Sequence, residues 1–142
     1  MRLLLKRRYT PRGTPGRLYL GQRPLCRIRE APKACFGREH FCLEEGVYEL
    51  QPEHTEEEGW MIRVGEQGWI KSLGPDQCPS SEILAPVTDY RADGTPLFTC
   101  LAFQQLLDEL GQCWERGEVV ELQVVSVGIP YHLESCRIPS YS

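Results

Sequence analysis

Thr95-Pro96-Leu97-Phe98-Thr99-Cys100-Leu101-Ala102-Phe103-Gln104-Gln105-Leu106-Leu107-Asp108-Glu109-Leu110-Gly111-Gln112-Cys113-Trp114-Glu115-Arg116-Gly117, followed by Val119-Val120-Glu121-Leu122-Gln123-Val124-Val125, is the stretch on which the fold reading turns. Phe103, Leu106, Leu107, Leu110, Cys113 and Trp114 recur at helical spacing, so one face of this segment is apolar and the other polar. Thr95 is a natural N-cap, Pro96 suits the first helical position and Gly117 a C-terminal stop, which predicts a helix over 96–116. The β-branched run at 119–125 then reads as a strong strand able to pair with the N-terminal strands.

Working back towards the N-terminus, the signals are those of strands. Leu3-Leu4-Leu5 begins a short strand, and the Pro- and Gly-rich Thr10 to Gly16 interrupts regular structure. Arg17-Leu18-Tyr19-Leu20 and Leu25-Cys26-Arg27-Ile28-Arg29 flank the turn residues 21–24 and read as a hairpin with one wet face. Residues 31–44 read as a loop, Gly46 to Leu50 as a strand, and Gln51 to Gly59 as a polar, acidic connection. Trp60 to Val64 predicts a mostly buried strand and Gly68-Trp69-Ile70 a further short one. Ser72 to Pro96 contains four prolines, which predicts an irregular, functional loop rather than a regular element. The tail from Gly128 onward reads as irregular. The resulting expectation is one α+β domain over 1–142, a mainly antiparallel sheet with one principal amphipathic helix near the C-terminus.

Composition narrows the function classes. Of 142 residues, 41% are hydrophobic and 25% charged, ordinary globular usage that excludes a disordered or collagenous chain. No apolar run is long enough to span a membrane, and Met1 to Lys6 is too short for a signal peptide, so a soluble, cytoplasmic protein is expected. Seven cysteines, an odd number without a CxxC pair, speak against a disulfide framework and for buried thiols. Cys35, His40 and Cys42 would need a fourth ligand to hold a metal, and no metal or cofactor is expected.

The formal charge of -4 conceals a split. Residues 1–40 carry eleven Lys and Arg against Glu30 and Glu39, while the remainder carries five basic residues and eighteen acids. Clustered arginines are one way to bind phosphates, and Arg7, Arg8, Arg12, Arg27 and Arg29 are the residues that would meet an anion. The alternative is internal cancellation, with the basic strands lying beside Glu56-Glu57-Glu58. Gly13-Thr14-Pro15-Gly16 lacks the Lys-Ser/Thr pair of a phosphate loop. A thiol site is the remaining catalytic candidate, with Cys78 as nucleophile and His54 as the nearest histidine in sequence.

Leu18-Tyr19-Leu20-Gly21, Arg29-Glu30, Glu45-Gly46-Val47-Tyr48, Ile62-Arg63-Val64 and the closing helix and strand together resemble a family of small bacterial and phage proteins of unknown function. In that family a strand with a His-x-Gly-Asn signature precedes a Gly-Cys-Ile turn, an arrangement similar to the His and Cys of L,D-transpeptidases. The resemblance implies a site at which this chain departs from the pattern: Gly65 stands at the histidine position, and the turn reads Asp76-Gln77-Cys78-Pro79. Pro79 also removes a backbone N–H directly after the thiol, where an oxyanion donor would be useful. The first functional reading is therefore a non-catalytic binding or interaction protein for a protein or polymer ligand, with a degenerate site. The second is a thiol-dependent hydrolase or transpeptidase acting on cell-wall peptide; the third is a nucleic-acid binder using the basic N-terminal third.

Overall fold

A computed structural model describes residues 1–33 and 41–127. Ten strands and one helix follow in chain order: β1 (Arg2–Arg7), β2 (Gly16–Leu20), β3 (Arg23–Arg29), β4 (Gly46–Thr55), β5 (Gly59–Val64), β6 (Gly68–Ile70), β7 (Ile83–Val87), β8 (Asp89–Tyr90), β9 (Pro96–Leu97), α1 (Thr99–Glu115) and β10 (Val120–Ser126). Eight of the strands close into a barrel in the order β1-β10-β4-β5-β6-β7-β3-β2, and β8 with β9 forms a separate two-stranded sheet. The expected α+β fold with a mainly antiparallel sheet is thereby corrected to a closed barrel carrying one helix. Two seams, β1 with β10 and β6 with β7, are parallel.

Strand β7 is the reason for the difference. It lies in the stretch that proline content marks as irregular, yet it pairs with β6 on one side and β3 on the other, and so supplies the link that closes the ring. Pro86 is tolerated there for a local reason. The Leu84 carbonyl accepts the Lys71 N–H on the β6 side, and Pro86, two residues on, faces the same side beyond the end of β6 at Ile70. Its missing N–H therefore falls at the very end of the β6 ladder and leaves the pairing with β3 intact. The acidic connection expected over 51–59 is also corrected: β4 runs on to Thr55 and pairs through Glu53↔Met61 and His54↔Trp60 with β5, leaving a tight turn at 56–58.

Inward side chains such as Leu3, Leu5, Leu18, Leu50, Ile62 and Leu122 fill the barrel at two-residue spacing. One end is stoppered by α1, whose Phe103, Leu106, Leu110 and Cys113 join that core. Trp114 donates its indole N–H to the Leu50 carbonyl at 3.1 Å, and Arg23 pairs with Glu109 across the same end. The helix begins at Thr99 rather than Pro96: Pro96–Leu97 is drawn into pairing with Asp89–Tyr90, and Phe98 turns the chain in the left-handed region at φ 55°. Leu107 and Trp114 are half-buried rather than central to the stripe. Gly117 ends the helix as expected, donating to the Trp114 carbonyl at 2.9 Å.

Candidate functional site

The opposite mouth of the barrel is where the charged residues gather. Arg7, the last residue of β1, alternates inward after Leu3 and Leu5, and so brings a guanidinium into an apolar interior. Gly16, its partner across β1 and β2, makes that placement feasible: a Cβ at Gly16 would stand 2.9 Å from Leu5 Cδ1 and 3.0 Å from Arg7 Cβ. Arg7 Nη1 donates to Glu30 Oε1 at 2.7 Å, with both side chains fully buried. Arg7 Nη2 donates to the Leu43 carbonyl and, at 3.3 Å, to the Tyr9 hydroxyl. The Leu43 N–H reaches Glu30 Oε1 at 3.4 Å, so the pair also fastens the segment that leads into β4. Burial raises the Glu30 carboxyl to about 7 although Arg7 and the Leu43 N–H pull it down, and Glu30 Oε2 has no partner among the described residues. Arg7, expected among the anion-binding residues, is thus a structural plug whose charge is spent on Glu30.

Around this plug the outer faces of β1, β2 and β3 carry a row of cations. Lys6 is in register with Arg17, and Arg17 with Arg27, so three like charges stand directly opposite one another on adjacent strands. They border a groove of about 380 Å³ whose lining includes Arg8, Tyr19 and Tyr90 and, among the described residues, contains no carboxylate. Two of the cations rest on aromatic rings, Lys6 Nζ 5.5 Å from the Tyr19 centroid and the Arg27 guanidinium 5.8 Å from that of Tyr90. Such contacts position a cation without neutralising it. Asp89 lies 3.8 Å from Arg27 and is mostly exposed, where screening leaves it little effect. Internal cancellation by the acidic turn does not occur, because β5 lies four strands from β2 in either direction around the ring and Glu58 is engaged by Lys71 at 3.2 Å.

A second cleft of about 460 Å³ adjoins the groove and shares Pro15 and Tyr90 with it. Arg12, Arg29 and Cys78 line it. Arg29 is occupied by the backbone, donating to the Gln77 carbonyl at 3.1 Å and to the Gly74 carbonyl at 3.3 Å, and so ties the loop that carries Cys78 to β3. Arg8 and Arg12 are exposed. Of the five arginines singled out from sequence, Arg8, Arg12 and Arg27 present charge to these depressions, while Arg7 and Arg29 hold the scaffold. Lys6, Arg17, Tyr19 and Tyr90 were missed. The cross-strand register that aligns Lys6 with Arg17 has no local signature, although the alternation of β1 would have placed Lys6 outward.

Cys78 is exposed, and among the described residues no histidine lines its cleft. His54 instead packs its ring edge-on against Trp60 at 5.0 Å on the β4 and β5 hairpin. Gly65, at the position where the resemblance implies a histidine, sits in the turn between β5 and β6 at φ +61°, with its N–H on the Glu49 carbonyl at 2.9 Å. A Cβ there would lie 2.9 Å from Tyr48 Cδ1, so both backbone and space favour glycine. Cys42 is buried near Arg7, and the expected metal candidates Cys35 and His40 lie outside the described residues. Among the described residues no three His, Cys, Asp or Glu side chains are grouped to hold a metal ion, and no helix is long and apolar enough to cross a membrane. No protein-family model, curated protein or solved structure matches this chain.

Proposed function

We propose that this chain is a non-catalytic binding protein, akin to the small bacterial and phage proteins it resembles, and that its ligand is an anionic polymer held on the outer face of β1, β2 and β3. The observation that carries the reading is the register Lys6↔Arg17↔Arg27. Like charges directly opposite on neighbouring strands destabilise a sheet, by up to about 1 kcal/mol for each pair. Strand spacing puts the three backbones within about 10 Å, and among the described residues no carboxylate intervenes in the groove. A row that costs the free protein stability is accounted for when an anion neutralises it in the bound state. A cytoplasmic setting belongs to the same proposal, supported by five free thiols among the described residues, of which Cys78 and Cys100 are exposed.

Arg17→Glu tests it, because the substitution converts two repulsive cross-strand pairs into attractive ones. The variant should melt no earlier than the parent and should lose most of its affinity for a polyanion, read by fluorescence anisotropy at low salt. Parent-like binding by Arg17→Glu would refute the assignment of this face.

A further inference from the structure

Resting on that polyanion reading, we propose that the ligand is single-stranded nucleic acid and that its path runs from the β1, β2 and β3 groove, over Tyr90, into the cleft bordered by Arg12. The two depressions adjoin, with Pro15 and Tyr90 lining both. A small phosphorylated metabolite would engage one or two cations. A chain is needed to reach Lys6, Arg8, Arg17 and Arg27 in the first depression and Arg12 in the second.

Three features favour a phosphodiester strand over an acidic peptide. Four of these five cations are arginines, whose planar fork matches phosphate oxygens in a bidentate way. Tyr90 stands at the junction with Arg27 against its ring, and together they offer a flat surface on which a base can stack whatever its identity. Tyr19 repeats the arrangement with Lys6 in the first groove. The shape also selects a single strand over a duplex. Duplex readers insert a protruding helix or ribbon into a major groove about 12 Å wide, whereas these cations line a depression in the barrel wall.

The test measures binding of labelled oligonucleotides of increasing length to the full chain, beside duplex DNA, heparin and poly-glutamate. With about five phosphates engaged, single-strand affinity should fall about 100-fold between 50 and 200 mM salt. Tyr90→Leu should weaken the oligonucleotide at least about fivefold, in line with the usual worth of one stacked base, and leave heparin unchanged. Arg12→Gln, on an exposed turn remote from the core, should cancel the affinity gained by oligonucleotides long enough to enter the second cleft, while the shortest ones bind as to the parent. Equal or tighter binding of heparin, poly-glutamate or duplex would overturn the single-strand assignment and leave the polyanion reading standing. Absence of binding to every polyanion at low salt would overturn both.

Discussion

Replacing Glu30 by Gln should make the protein more stable at pH 8 and leave it little changed at pH 4.5. Glu30 is fully buried beside Arg7, and burial lifts its carboxyl from the ordinary 4.5 to about 7. The native state therefore binds a proton that the unfolded chain releases between those two values. Stability contributed by this group is complete below about 4.5 and is lost as pH rises through about 7. Over that interval the loss is on the order of 3 kcal/mol, from about 1.4 kcal/mol per pKa unit. This is a large share of the 5 to 15 kcal/mol typical of a domain. Gln cannot ionise and is close in shape to the protonated acid, so it should remove this slope. Arg7→Met acts in the opposite sense: it takes away the guanidinium that faces the carboxylate, and should cost about 3 to 5 kcal/mol at pH 8 and less at pH 5, where Glu30 is already neutral. Urea melts of the three proteins from pH 4.5 to 8 separate this group from the other carboxylates, because only the difference between variant and parent is read. Parallel pH profiles for Glu30→Gln and the parent would refute the reasoning. So would a variant that is less stable than the parent at pH 8, which would mean that the ion pair outweighs the burial of its charges.

Leu110 is fully buried where α1 stoppers the barrel, and Leu110→Ala should cost about 2 to 5 kcal/mol in denaturant melts. The half-buried Leu107 should cost less when truncated in the same way. Gly65→Ala places a side chain at φ +61° against Tyr48 and should destabilise by about 1 to 3 kcal/mol. A Gly65→His variant should be at least as unstable and gain no thiol reactivity at Cys78, as judged by alkylation and mass spectrometry.

Local pattern was sufficient for much of this protein. Alternation placed Leu18 and Ile28 inward and Arg17 and Arg27 outward, and helical spacing picked out Phe103, Leu106 and Leu110, because both depend only on the repeat of a single element. Gly117 closed the helix for an equally local reason, and the concentration of cations in the first forty residues was visible by counting. Three features required the tertiary structure. Strand β7 was hidden because Pro86 is a poor strand residue unless, as here, it faces the end of the β6 ladder and leaves the pairing with β3 intact, and with β7 the open sheet becomes a barrel. The alternation of β1 puts Arg7 on the inward face with Leu3 and Leu5, but only the closure of the barrel over Gly16, with Glu30 brought from β3's end, decided that a guanidinium is buried and paired there. The cationic row, finally, belongs to no segment. It arises from the registers of β1 with β2 and β2 with β3, and register is set by long-range packing of the opposite, buried face rather than by the charged residues it aligns.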